Sequence, residues 1–150
     1  MQLSRSFTLA EMTLSETAGR AGLSNVPPPI AIGHLAMLCW YVLEPLRQKI
    51  GRPILISSGY RSPQVNELVK GSASSLHRIG RAADIVVPGM APRDVCKTVV
   101  DLRLPFTELI LEFGEWTHVA VAEVGREPER RVLTARRDAQ GETVYTKGIA

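Results

Sequence analysis

A chain of 150 residues is long enough for one domain with a real core, and 45% hydrophobic against 22% charged residues is the balance of an ordinary globular protein. A net charge of +3 is too small and too interspersed to argue for nucleic acid as a partner, although it suits encounter with an anionic polymer or a cell envelope. No apolar run approaches the ~18 residues of a membrane span, and Met1–Ser6 leads into a helix start and not a secretory hydrophobic region, so the expectation is cytosolic synthesis without an export signal.

Thr8-Leu9-Ala10-Glu11 is a capping box, which predicts a short helix running to about Ala18. Gly19 and Gly22 loosen the chain beyond it, and Asn25-Val26-Pro27-Pro28-Pro29 reads as an extended connector. A longer helix is expected from Pro28 or Pro29 to about Ile50, because Ile32, Leu35, Leu38, Val42, Leu43 and Leu46 recur at three- and four-residue steps. Pro45 should kink it and Gly51 should end it. His34 has no histidine or acidic neighbour at ligand spacing and reads as a packed or surface residue. Cys39 and Cys96 lie in apolar helical contexts and read as buried free thiols.

Pro53–Ser58 predicts a short strand, after which Ser62 caps and Pro63 opens a small helix to about Val69. A Gly/Ser-rich loop over 70–75 carries the chain to His77. Ala82–Val87 reads as a strand, Pro92–Leu102 as a helix, and Glu108–Phe113 as a second strand that turns at Gly114 into a partner over Thr117–Ala122. Val132–Ala135 and Thr143–Tyr145 supply either an edge strand or a C-terminal arm, and the charged Arg126–Arg137 stretch reads as solvated surface. The element order implies an α+β fold, a small mixed, largely antiparallel sheet with helices packed on one face. One domain is expected, with N-terminal helices over 8–50, a core over 53–122 and an arm over 126–150.

The chemistry concentrates in Ser75-Leu76-His77-Arg78-Ile79-Gly80-Arg81-Ala82-Ala83-Asp84 and in Glu115-Trp116-Thr117-His118. Together these supply two imidazoles, a carboxylate and a further glutamate, the inventory of a catalytic zinc with three protein ligands and a base beside an open position. Gly80 lets the chain turn back between His77 and Asp84, and His118 would enter from the facing strand. Residues three apart on a strand face opposite ways, so Glu115 can approach His118 only from outside the regular strand. Arg61 is a candidate for gripping a substrate carboxylate or an oxyanion, and Ser75 for contacting substrate or orienting His77. Duller readings stand beside these: Asp84 paired with Arg78 or Arg81, Glu115 a plain turn residue with Glu112 as base or neither, Arg61 a carbonyl cap, and Ser75 simple loop.

Ser75-x-His77-x-x-Gly80-x-Ala82-x-Asp84, preceded by Ser58-Gly59-Tyr60-Arg61-Ser62 and followed by Glu115-x-x-His118, resembles the zinc D-alanyl-D-alanine carboxypeptidase and phage murein peptidase family, which shares its fold with the hedgehog signalling domain. Phe7–Met12 and Val132–Arg136 resemble its compact, phage-borne branch. The resemblance implies one zinc ion held by His77, Asp84 and His118, with Glu115 as general base and Arg61 in the substrate pocket. It implies cleavage next to a D-amino acid in peptidoglycan peptides, by a D-Ala-D-Ala carboxypeptidase or an L-alanyl-D-glutamate endopeptidase. Many of these carboxypeptidases have an aromatic residue directly before the second histidine. Here that residue is Thr117, with Trp116 one earlier, which weighs toward the endopeptidase. A phage lysis enzyme reaching the periplasm and wall through phage-assisted release is the first expectation. Alternatives are a tail component partnered by other virion proteins, or a non-catalytic zinc module of hedgehog type.

Overall fold

In the computed structural model, which describes residues 1–150, the capping box forms at the start of α1 (Leu9–Thr13). The Thr8 hydroxyl accepts from the Glu11 N–H at 3.2 Å, and the Glu11 carboxylate accepts from the Thr8 N–H at 2.8 Å. The single helix expected here is two. The chain leaves α1 at Leu14 and restarts as α2 (Glu16–Ala21), because Ser15 caps the Ala18 N–H at 3.1 Å and so favours a new helix over continuation.

The long helix is continuous over Pro29–Ile50. It consists of α3 (Pro29–Leu38), a wide π turn (Cys39–Leu43) and α4 (Glu44–Ile50). Pro45 has no N–H to donate. The wide turn ahead of it, in which the Glu44 N–H reaches Cys39 O, shifts the ladder by one residue and lets the helix continue past the proline. By length and composition this helix could cross a bilayer, but Leu35, Leu38, Val42, Leu43 and Leu46 are fully buried within the fold. Buried Glu44 is tied to the N-terminal segment: the Ser4 hydroxyl donates to it at 2.8 Å and the Ser6 hydroxyl at 3.1 Å. Cys39 and Cys96 are buried free thiols whose pKa values burial pushes up to about 12 and about 11.

The rest of the chain builds one six-stranded sheet from β1 (Leu55–Ser58), β2 (Ala82–Val86), β3 (Phe106–Glu112), β4 (Trp116–Val121), β5 (Arg131–Arg137) and β6 (Thr143–Lys147). Between the strands lie α5 (Pro63–Leu68), a 3-10 turn (Leu76–Ile79) and α6 (Pro92–Asp101). The strand order is β1-β2-β4-β3-β5-β6. Every pair is antiparallel except β3 with β5. Because β4 runs back along β3, it leaves the chain at the end where β3 began; the segment 122–130 crosses over at that end, and β5 lies parallel on the far side of β3. The C-terminal stretch is therefore two full strands of the sheet.

Strand alternation divides the sheet into two faces. Ala83 and Ile85, Leu109 and Leu111, and Val119 and Val121 point to the side covered by the long helix and α6, where they join one buried core with Leu35, Leu38, Val95 and Val99. Thr117 also faces this side: its hydroxyl donates to Pro92 O at 3.2 Å and lies 3.4 Å from Cys96 Sγ. The opposite face carries the polar residues.

Candidate metal centre

The cross-strand register aligns Asp84 of β2, His118 of β4, Ile110 of β3 and Leu133 of β5 in one row on the polar face. His77 comes from the 3-10 turn between α5 and β2. That turn is fixed by the Ser75 hydroxyl, which accepts from the His77 N–H at 3.3 Å, and by Gly80 at φ +78. It is packed so tightly that a Cβ on Gly80 would lie 2.5 Å from the carbonyl oxygen of Ala31 on the long helix. His34 of the same helix meets the turn through its Nδ1, 2.7 Å from Ile79 O. The segment leading out of the Gly/Ser-rich loop is thus a turn clamped onto the core.

His77, Asp84 and His118 converge, with one ligand atom from each within 4.8 Å of the others. His77 Nδ1 donates to Gly59 O at 2.7 Å, and since a carbonyl can only accept, its proton must sit there. Nε2 of the neutral ring then presents a lone pair 3.2 Å from Asp84 Oδ1. Burial pushes the His77 pKa down, which favours that neutral form. His118 sits between two carboxylates, its Nδ1 3.0 Å from Asp84 Oδ1 and its Nε2 2.9 Å from Glu108 Oε1. Burial lowers its pKa, but the bonds to Asp84 and Glu108 outweigh this and raise it to about 9. Burial likewise opposes charge on Asp84, yet His77 and His118 hold its carboxyl far below the ordinary range.

This donor set fits zinc. Tetrahedral bonds of about 2.0–2.2 Å place two ligand atoms about 3.3–3.6 Å apart. The 3.2 and 3.0 Å separations lie close to that, and a neutral-ring lone pair facing a carboxylate calls for a positive charge between them. His77 Nε2, Asp84 Oδ1 and His118 Nδ1 would be the ligands. Gly59 O and Glu108 would hold the outer nitrogens of the two rings.

A cleft of about 780 Å³ opens over this row. One bank is the 69–76 segment and the other is formed by β5 and β6. A second hollow of about 610 Å³, lined by α2, β1 and α5, shares Arg61, Val69, Asp84 and Trp116 with the first. The groove therefore continues past Asp84 in both directions.

Arg61 lies at this junction. Its Nη2 is 4.0 Å from Asp84 Oδ2, its Nη1 donates to Asn66 Oδ1 at 3.3 Å, and its buried Nε has no protein partner. Ser75 both caps the turn and lines the cleft. Asp84 pairs with Arg61 and the histidines, while Arg78 turns to Ala73 O. Glu115 lies outside strand β4, as its parity with His118 requires. It is exposed on the Phe113–Glu115 turn, where its N–H donates to Glu112 O at 2.9 Å, and it does not line the cleft.

Two acids that do line the cleft flank His118 diagonally on β3, since His118 pairs with Ile110 and the neighbours on that face are Glu108 and Glu112. Glu108 is the site residue that the motifs do not reveal. Period-two alternation in Glu108-x-Ile110-x-Glu112 is the signal that points to it. Arg131 of β5 donates to the other oxygen of Glu108. The bond from His118, with burial opposing and Arg131 assisting, holds the Glu108 carboxyl down at about 2. Glu112 goes the other way: burial, offset in part by His118, pushes it above the ordinary carboxylate range, and Asp84 and Glu108 add to the rise.

Comparison with curated proteins returns no match. Comparison with protein families matches residues 5–120 to the family described as Peptidase M15, a span that takes in the long helix, His77, Asp84 and His118 and ends within β4. That span covers well over half of the chain and ends only after the last of the three converging side chains, so the chain belongs to the Peptidase M15 family, a family of zinc metallopeptidases.

Proposed function

We propose that this protein is a zinc endopeptidase that cleaves a bond next to a D-amino acid within peptidoglycan stem peptides. The observation that supports this most directly is that His77, Asp84 and His118 line one hollow while Asp84, with Arg61 and Trp116, also lines a second beside it, leaving room for chain on both sides. A carboxypeptidase needs room for one terminal residue beyond the scissile bond, whereas an endopeptidase needs chain on both sides. Thr117, which faces the core, leaves Trp116 as the aromatic residue on the groove floor.

Held by His77, Asp84 and His118, zinc would polarise the scissile carbonyl and acidify a water for attack near neutral pH. Glu112 would be the group that holds a proton during attack and hands it to the leaving amine. It lines the cleft beside His118, and its raised pKa suits both halves of the transfer. Glu115, exposed on the turn, lacks that position. Arg61 offers a buried guanidinium edge to the oxygen that gains charge in the transition state. Ser75 acts by holding the turn that aims His77.

The resemblance to the phage-borne branch supports a lysis enzyme that meets its substrate in the wall after release from the cytosol. The test is zinc-loaded protein incubated with defined muropeptides, with products identified by mass spectrometry. Two peptide fragments are expected. Release of a single terminal D-amino acid would instead identify a carboxypeptidase, and intact muropeptides with zinc retained would refute peptidase action on the wall.

A further inference from the structure

The wall of the cleft formed by β5 and β6 lies outside the span matched to the family, yet it stands along the metal row. Counting along the polar face, the row after Asp84–His118–Ile110–Leu133 is Trp116–Glu112–Ala135–Tyr145, and the next holds Arg137 opposite Thr143. Arg131 on this wall is engaged by Glu108 and lies 4.0 Å from Glu129. Arg137 has no carboxylate within ion-pair distance.

Its guanidinium is nevertheless held in place. The carbon at its centre stands 4.5 Å over the Phe113 ring, and Nη1 donates to Gly141 O at 3.4 Å. Phe113 is itself fixed, edge-on to Trp116 with ring centroids 5.5 Å apart, its N–H donating to Ala135 O at 3.0 Å. It adopts φ +55, a left-handed conformation that a bulky residue reaches only at a cost. A guanidinium stacked by its face keeps the donors on its rim for a ligand.

We propose that Phe113, Arg137 and Tyr145 form a remote subsite that recognises a free carboxylate on the substrate peptide. Arg137 forks onto the carboxylate, while the Phe113 and Tyr145 rings frame it. Two rows along the sheet are ~13 Å, and an extended peptide covers that in roughly three to four residues, fewer when the arginine reaches back. The recognised group therefore lies two to four residues from the scissile bond, as a terminal carboxylate or an acidic side chain of the stem peptide does. Where that carboxylate is capped as an amide, the guanidinium loses one of its two charge-assisted bonds.

This inference rests on the peptidase reading for its substrate but not for its test. The zinc-loaded protein and its Arg137→Ala variant are titrated calorimetrically with synthetic stem peptides that differ only in a free or amidated carboxylate two, three or four residues from the cleavable bond, and turnover is followed separately. Wild type should bind one acid peptide about five- to tenfold more tightly than its amide, a charge-assisted contact at a half-exposed site. Arg137→Ala should abolish that preference with zinc content unchanged, and Arg137→Lys should restore part of it. For cleaved peptides the change should appear in KM and leave kcat alone. Equal binding of acid and amide by wild type at all three positions would overturn the subsite even if the peptides are cut. A preference that survives Arg137→Ala would overturn it as well. Peptides bound with the acid preference but never cut would support the subsite while sinking the peptidase reading.

Discussion

Glu108 accepts from the Nε2–H of His118 at 2.9 Å, while its second oxygen takes the guanidinium of Arg131 from the neighbouring parallel strand. The ring of a histidine placed to bind metal is thus aimed through a carboxylate and an arginine that lies beyond the family-matched span. Partners of this kind typically contribute about 10–100-fold to metal affinity. Glu108→Ala is expected to weaken zinc binding by about that factor, and Arg131→Ala by roughly tenfold at most, since its side chain is half exposed. Competition against a chelator of known affinity measures both, and unchanged zinc retention in Glu108→Ala would remove this role.

The three proposed ligands should behave differently from the acids around them. His77→Ala and Asp84→Ala should lose zinc and activity together. Adding zinc at about 100 times its Kd to wild type should stabilise the fold by about 2.7 kcal/mol, a shift of several degrees in Tm that both variants lack. Differential scanning fluorimetry with and without a chelator reads this directly.

Glu112→Gln should retain zinc and lose roughly 10²–10⁴-fold in kcat, the usual size of a general acid–base contribution. Glu115→Gln should stay within a few-fold of wild type. The reverse ranking would return the proton-transfer role to Glu115. Parity explains why the motif alone could not decide. Glu115 lies on a turn whose side-chain direction no alternation rule fixes, whereas Glu112 inherits the His118 face from strand register.

Much of the site was legible because it rests on local chemistry. The Thr8–Glu11 cap, Ser62 and Pro63 at the start of α5, and the strand around Asp84 follow from short-range rules and appear as expected. Less legible was whatever depended on packing between distant segments. The 3-10 turn carrying His77 is set by contacts with Ala31 and His34, some 45 residues away in the chain. The continuous helix past Pro45 depends on a π turn that periodicity does not announce. The charged 126–137 stretch has the composition of solvated surface, yet its alternating Arg131 and Arg137 line the cleft because β5 pairs with β3.

Backbone crowding behind His77 gives a further expectation. A Cβ on Gly59 would lie 2.1 Å from Met12 O, and Gly59 O is the acceptor that fixes the His77 tautomer. Gly59→Ala should therefore cost stability by about 1–3 kcal/mol, the range for overpacking, and weaken zinc binding in the same variant. Gly19→Ala, at a helical position with open space around the added methyl, serves as the control and should be neutral or slightly stabilising. Urea unfolding and chelator competition provide the two measurements.

Glu44 makes the fold sensitive to acid away from the metal. Burial alone would raise its pKa, but the Ser4 and Ser6 hydroxyls and the Ser6 N–H outweigh that and lower it. A carboxyl depressed on folding contributes stability that is fully present above its unfolded value of about 4.3 and is lost as pH falls through the folded one. Metal-free wild type should exceed Glu44→Gln by about 1–3 kcal/mol at pH 7, with the gap closing below about pH 4. A gap that stays constant across urea titrations from pH 7 to 3 would contradict the assignment.

The parallel pairing of β3 with β5 also bears on how the chain can be shortened. A fragment ending at residue 120 would keep His77, Asp84 and His118 yet strip the outer margin of β3, exposing the backbone donors and acceptors of Phe106–Glu112 beside Leu109 and Leu111. Such a bare hydrogen-bonding rim recruits strands from other molecules. Truncation there should give a protein that self-associates into aggregates, so β5 and β6 act as a solubility guard as well as a wall.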